Sequence, residues 1–311
     1  MTTAVRVGLV LGGGGVLGGA WEIGALRALQ AETGWDPRRA EYLIGTSVGA
    51  LMAALLAAGI LPPMDLVDAA TRRAEAFPWP IPGSWDLGIR GMRAQGPRGW
   101  IMTVAGMLPR GGLSTGPIQE SIRHRMPDGW PAGRRLWIAA CDYRTGERVV
   151  FGRPGAPPAG VPAAVAASCA IPGVYRPVEI GGHLYVDGGL YSAANLDLLA
   201  GEAVDLAICL NPMSSPIVTP RAKRLSDRLL GFMERTAHRS LEAEAEALRA
   251  SGISVMLIES GVEDRAAMGL NLMNRKRSQM VVRTAVRTVT QQLGSPPNAE
   301  SLALLAGHRV R

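Results

Sequence analysis

The sequence predicts an α/β fold built on a mainly parallel central sheet, and three observations lead there. Short aliphatic and β-branched runs recur at 5–11, 42–44, 204–211 and 253–259, largely apolar, as in buried strands. Segments of helical character alternate with them, and strand–helix alternation implies parallel neighbours. Glycine clusters stand where the first two strands hand over to helices, at 12–15 and 45–49.

Taken in order, "VRVGLVL" (5–11) is a strand, "GGGG" (12–15) a turn, and Ala20 to Gln30 a helix. A second strand, 42–44, leads into a glycine-flanked serine and an alanine- and leucine-rich helix. Residues 77–112 crowd Pro, Gly and Trp together and are expected to form a long surface excursion. The sheet resumes with 135–143 and 148–152, joined by a turn at Thr145-Gly146. A helix over 161–171 stops at Pro172-Gly173, and 176–189 is expected to be a hairpin turning at Gly181-Gly182. Two further central strands, 204–211 and 253–259, enclose a long charged helix from Arg221 to Ala250, and 275–293 forms a last helix. No internal repeat or domain boundary stands out, so residues 1–311 are expected to form one domain, with a motif-bearing core over about 5–210 and a C-terminal strand and helices over 211–311.

With 47% hydrophobic residues the chain can bury a sizeable core. Its formal net charge of +7 is almost all arginine. Such a surface suits anionic partners in general, but genome composition is the favoured explanation, and no nucleic-acid partner is expected. Cys141, Cys169 and Cys209 are isolated in apolar surroundings, which indicates buried thiols in a reducing, cytoplasmic setting rather than a disulfide framework or a metal site. The longest apolar run, near Leu51 to Leu61, falls short of the roughly 20 residues that span a bilayer. The expectation is a soluble protein with at most peripheral membrane contact.

The stretch "EYLIGTSVGALMAALLAAG" (41–59) carries the first chemical signal. G-x-S-x-G at a strand-to-helix junction is a nucleophile elbow: the chain turns sharply, and Gly45 and Gly49 remove side chains that would collide with the strand or helix. Ser47 then stands beside a helix N-terminus, which favours a developing oxyanion. The preceding loop contains G-x-G-x-x-G at Gly13, Gly15 and Gly18, the pattern of a dinucleotide-binding turn. That reading needs an acidic residue ending the second strand. Glu41 lies at the wrong end, and the elbow occupies the required place. The other use of such a loop is to aim backbone N–H groups at an oxyanion.

A triad would require a histidine. His124, His183, His238 and His308 stand in no motif. The better proton acceptor is Asp187, in "YVDGGL", directly after an apolar run and before Gly188 and Gly189, although D-G-G alone is ordinarily a turn.

Together the glycine loop, G-x-S-x-G and D-G-G, in that order, resemble the patatin-like phospholipase family. "LVLGGGGVLGGAWEIGALRAL" looks like its glycine-rich loop and first helix, "IGTSVGAL" like its elbow, and "AASCAIPGVYRPVEIGGHLYVDGGLYSAAN" like the segment that carries its aspartate. The resemblance implies a three-layer α/β/α fold related to the catalytic domain of cytosolic phospholipase A2, and a Ser–Asp dyad without histidine. It makes Ser47 the nucleophile, Asp187 the base, and the amides of Gly13, Gly14 and Gly15 the oxyanion hole. Gly18, Gly45, Gly49, Gly188 and Gly189 are the structural positions of the three motifs.

One position departs from the family: its loop carries Arg or Lys where this chain has Leu17. The expected function is acyl-ester hydrolysis on lipid, as a phospholipase A, a lysophospholipase or a neutral acyl-ester lipase, with no cofactor and no metal. The alternative, a catalytically weak lipid-binding or regulatory protein, rests on Leu17. Two segments are candidates for lipid contact: 77–112, with Trp79, Trp85 and Trp100 as anchors or else as packed loop aromatics, and the stripe Leu225, Leu229, Leu230, Phe232 and Met233, for which packing on the core is favoured.

Overall fold

The computed structural model describes residues 5–63, 82–94, 96–126, 129–215 and 225–306. Trp79, His308 and the side chains of the stripe from Leu225 to Met233 lie outside the described residues.

Eight strands form one sheet: β1 (Val7–Leu11), β2 (Tyr42–Thr46), β3 (Arg135–Asp142), β4 (Arg148–Phe151), β5 (Val178–Ile180), β6 (His183–Asp187), β7 (Leu206–Asn211) and β8 (Ser254–Glu259). Their order is β5-β6-β3-β2-β1-β7-β8, with β4 also paired to β3. β3, β2, β1, β7 and β8 are parallel, whereas at one side β4 and β6 each pair antiparallel with β3, and β5 pairs antiparallel with β6. Between them come α1 (Gly15–Thr33), α2 (Val48–Ala57), α3 (Trp85–Arg93), α4 (Gly96–Met107), α5 (Gly116–Arg123), α6 (Val161–Ser168), α7 (Leu225–Ala250), α8 (Val262–Met268), α9 (Ser278–Leu293) and α10 (Ala299–Ala306).

The interiors of the parallel strands are apolar, with polar residues only towards their ends, because both faces of the sheet are covered. Leu9, Leu11, Leu43, Ile208 and Met256 enter the core shared with α1, α2, α6 and α9. The alternate residues Val10, Tyr42, Ile44 and Cys209 enter a second core with Leu241, Ala245 and Leu248 of α7. The period-2 geometry of a strand thus produces the three-layer α/β/α arrangement. Among the described residues no helix is long and apolar enough to cross a membrane.

Two expectations change. Helix α1 starts at Gly15, inside the glycine cluster, rather than at Ala20. The described part of 77–112, expected only as a surface excursion, contains the two helices α3 and α4. Both were hidden by glycine and proline, whose poor helix propensity is overridden here by tertiary packing.

Candidate active site

The elbow follows from parallel registry. Leu11 of β1 pairs with Gly45, and Gly45 with Ile138 of β3, so the chain leaving β2 emerges beside the end of β1. Ser47 has φ 56° and ψ −126°, a conformation that costs a non-glycine residue on the order of 1–3 kcal/mol. The glycines on either side permit it. A Cβ on Gly45 would lie 2.4 Å from the Ala50 Cα, and one on Gly49 would lie 2.2 Å from the Leu11 carbonyl oxygen.

The strained residue is clamped at both backbone polar groups. The Ser47 N–H donates to the Ser168 Oγ at 2.8 Å, and the Ser168 hydroxyl donates onward to the Ala139 carbonyl at 2.6 Å. The Cys169 thiol donates to the Ser47 carbonyl at 3.1 Å. Ser168→Ala leaves a buried N–H unpaired and is expected to cost about 1–3 kcal/mol of stability. Because it loosens the serine that its hydroxyl positions, acylation by a fluorophosphonate is also expected to slow, by up to about 10²-fold. Thermal melting and labelling kinetics measure the two effects separately.

Asp187 ends β6, opposite Ala140 of β3. The hairpin that delivers it turns through Gly181 and Gly182, both at positive φ. Asp187 is 7% exposed. Burial pushes its carboxyl up to about 6, while hydrogen bonds from the Ser47 hydroxyl and the Gly189 amide act the other way. The Gly189 N–H lies 2.8 Å from Oδ1. Gly188 is required because a Cβ there would stand 2.3 Å from the Ala139 oxygen. The sheet therefore joins a serine hydroxyl to a carboxylate made more basic by desolvation, which is the chemistry a nucleophile and its base need.

The glycine loop crosses above this pair. The Gly13 Cα approaches so closely that a Cβ on it would lie 3.3 Å from the Ser47 Cβ. Of the three amides expected to form an oxyanion hole, Gly13 is already committed: its N–H donates to the Ala193 carbonyl at 2.9 Å. The amides of Gly14 and Gly15 have no partner among the described residues. They open the 19-residue α1, so unpaired N–H groups and the positive end of the helix dipole coincide there. Gly18 packs its Cα under Gly14, where a Cβ on Gly14 would be 2.7 Å away. Gly15, Val16, Ser47, Leu51, Ile171, Tyr175 and Met273 are among the residues that line an apolar cavity of about 40 Å³.

Leu17 faces the other way. It is fully buried in the core, and its N–H donates to the Leu272 carbonyl at 2.9 Å. In this chain position 17 is a core position, and an arginine there would place its charge among apolar side chains. On the same helix Glu22 is fully buried, and burial holds its carboxyl well above the usual range.

Several residues that shape the site escaped sequence reasoning. Ser168 and Cys169 stood inside the quoted "AASCAIPG" without a role. Asn195 adopts a left-handed backbone, φ 59°, and its Nδ2 donates to the Thr46 Oγ1 at 3.0 Å and to the Ser192 carbonyl at 2.8 Å. Glu244 of α7 accepts from the Ser192 hydroxyl at 2.7 Å and the Leu196 N–H at 2.8 Å. Together these fix the segment whose Ala193 carbonyl holds Gly13. Nothing local in the sequence marks Glu244, 57 positions from Asp187 in "EAEAEAL".

The described histidines are engaged elsewhere. His124 meets Glu120, His183 meets Asp142 at 3.3 Å, and His238 meets Glu259 at 2.9 Å. His183 begins β6 and Asp187 ends it, which sets them roughly 13 Å apart. His238, Glu242 and Glu259 form a metal-type grouping among the described residues, between α7 and β8; the His238–Glu259 hydrogen bond accounts for the closeness of these two.

The chain is 29% identical over 225 residues to an uncharacterized NTE family protein of Mycobacterium bovis, and equally to one of Mycobacterium tuberculosis. In each case the match covers 69% of this chain and 33% of the relative, so the chain spans about a third of the length of these curated relatives. Among solved structures, VipD from Legionella pneumophila superposes with a TM-score of 0.46 at 12% identity, over 93% of this chain and 66% of that one. The sequence profile of the patatin-like phospholipase family matches residues 9–200, from the first strand through the aspartate segment, and by that match the chain belongs to the patatin-like phospholipase family.

Proposed function

We propose that the chain is a serine hydrolase of lipid acyl esters, acting as a phospholipase A, a lysophospholipase or a neutral acyl-ester lipase. The observation that carries this reading is the Ser47 hydroxyl set close enough to the buried Asp187 carboxyl to act on its pKa, beside an apolar cavity that Ser47 and Gly15 both line. In the proposed reaction the Ser47 Oγ attacks the ester carbonyl while Asp187 takes its proton. The tetrahedral oxyanion is met by the Gly14 and Gly15 amides. Collapse expels the alcohol, which receives the proton back from Asp187, and leaves an acyl-enzyme. Water, deprotonated by the same carboxylate, then attacks the acyl-enzyme, and the Ser47 Oγ leaves with the proton returned by Asp187 as the fatty acid is released. Leu51, Ile171, Tyr175 and Met273 offer the acyl chain an apolar wall.

The whole chain is proposed to work as one unit, because α9 packs along α1, the helix that opens at the glycine loop. Its setting is proposed to be cytoplasmic, with peripheral membrane contact. The catalytically weak alternative rests on Leu17, whose side chain is in the core, and acyl-ester turnover separates the two readings.

A panel of acyl esters and phospholipids, assayed with the wild type and Ser47→Ala, tests the reading. A fluorophosphonate is expected to add one adduct that maps to Ser47, with turnover and labelling both absent from Ser47→Ala. Labelling that persists in the variant, or a wild type inert towards every ester, overturns it.

A further inference from the structure

Helices α3 and α4 carry a near-repeat that a reading for longer periods passes over: "WDLGIRGM" (85–92) and "WIMTVAGM" (100–107) share the pattern W-x-x-x-[I/V]-x-G-M. Each copy has two functions on its helix. The glycines bring the two backbones together. A Cβ on Gly91 would lie 2.4 Å from the Thr103 nitrogen, and one on Gly106 would lie 2.3 Å from the Gly88 nitrogen. The large residues at i, i+4 and i+7 fall on one stripe of their helix. These are Trp85, Ile89 and Met92 on one helix and Trp100, Val104 and Met107 on the other, and all six are exposed: Trp85 is 72% exposed, Met92 and Met107 are each 66%, and Trp100 is 45%.

The inner side of the hairpin explains its position. Leu87, Met102 and Ala105 are buried against Cys141, Tyr143, Val186 and Leu190. Val186 and Leu190 flank Asp187 in sequence, so the hairpin is seated on the segment that carries the carboxylate. Arg98 reinforces the seat by donating to the Gly146 carbonyl at 3.2 Å and stacking 3.8 Å over the Tyr191 ring. At about 100° per residue, Trp85, Ile89 and Met92 lie on the side of α3 opposite Leu87, and Trp100, Val104 and Met107 lie opposite Met102 and Ala105. Both stripes therefore face outward together. Isolated exposed apolar residues are ordinary, but six at matched spacing on a glycine-crossed pair of helices form a patch. Exposed Arg93 flanks it on α3, with Asp86 and Arg90, both exposed, further round the helix towards Leu87.

We infer that this outer face docks on the surface of an anionic lipid bilayer, with Trp85 and Trp100 at headgroup depth and Arg90 and Arg93 against the lipid phosphates. Tryptophan favours the membrane interface, and an apolar face rimmed by arginine is the composition of an interfacial helix. The inference rests on the lipid-hydrolase reading for its biological sense, but not for its test, because binding needs no turnover.

Co-sedimentation with vesicles of phosphatidylcholine, with and without phosphatidylglycerol, is measured for Ser47→Ala and for Ser47→Ala carrying Trp85→Ser and Trp100→Ser. Binding is expected to be stronger with phosphatidylglycerol, to weaken with salt, and to fall at least ten-fold on loss of the two tryptophans. Arg90→Gln with Arg93→Gln is expected to remove most of the phosphatidylglycerol preference. In the catalytic background the Trp85→Ser, Trp100→Ser protein is expected to hydrolyse a short, soluble ester within two-fold of the unsubstituted rate, which also shows that it is folded. Absence of binding to any vesicle, or binding that the tryptophan substitutions leave unchanged, overturns the inference. An enzyme inert on soluble esters that still binds vesicles through these residues overturns the hydrolase reading instead.

Discussion

Asp187→Asn is expected to lower turnover by at least the general-base range of about 10²–10⁴-fold, and at the same time to make the protein more stable above pH 6. Both effects come from one cause. Burial raises the Asp187 carboxyl from an ordinary 3.8 to about 6. Between those values the folded protein holds a proton that the unfolded chain releases, so stability falls as pH rises through this window. Below pH 4 the residue is neutral in both states and costs nothing. Above pH 6 it is a buried anion, and a shift of about two units corresponds to about 3 kcal/mol. Asparagine carries no charge, and its carbonyl can still accept from the Gly189 amide. Melting curves for wild type and Asp187→Asn should converge near pH 4 and diverge in favour of the variant between pH 4 and 6. The wild-type kcat/KM should show an acid limb near pH 6, where Asp187 gains the charge that makes it a base. Equal stability of the two proteins at every pH, or full activity in Asp187→Asn, contradicts the role assigned to this carboxylate.

Gly49→Ala is expected to destabilise the fold by about 3 kcal/mol or more, the upper end of what overpacking causes. The added methyl would meet the Leu11 oxygen at 2.2 Å and the Gly12 oxygen at 2.6 Å. Both are backbone atoms at the end of a central strand, so no side-chain rotation relieves the clash. The N-terminus of α2 would have to lift away from the glycine loop, carrying Ser47 from the Gly14 and Gly15 amides. Gly59→Ala is a control from the same region: that glycine has nothing within 4 Å of its Cβ position, and only its φ of 77° opposes a side chain. It is expected to cost about 1 kcal/mol, for a single left-handed residue. Denaturant titration of both variants measures the difference, and equal costs would mean that the elbow has slack which the close contacts do not suggest.

Parallel core strands announce themselves because both faces are buried: runs such as "VGLVL" and "LAICL" must be apolar at every position, whatever lies beyond them. The elbow and the D-G-G turn are equally legible, because a backbone that approaches another backbone closely tolerates only glycine, and that demand is written at the position itself. The α3–α4 hairpin was not legible as helix. Its glycines lower local propensity, and their use, the near contact of two backbones, exists only once the helices have met.

The sequence by itself determined the order of the motifs, the choice of Ser47 and Asp187 as candidates, and the resemblance of the chain to its family. All of these depend on residue type and short spacing. Tertiary structure alone decided which groups are spoken for. It gave the Gly13 amide to Ala193, turned Leu17 into the core, and set Ser168 and Cys169 on the two polar groups of the Ser47 backbone. Hydrogen-bond satisfaction and burial are properties of pairs far apart in the chain, 121 positions for Ser47 and Ser168, and the pattern around either residue alone carries no trace of its partner.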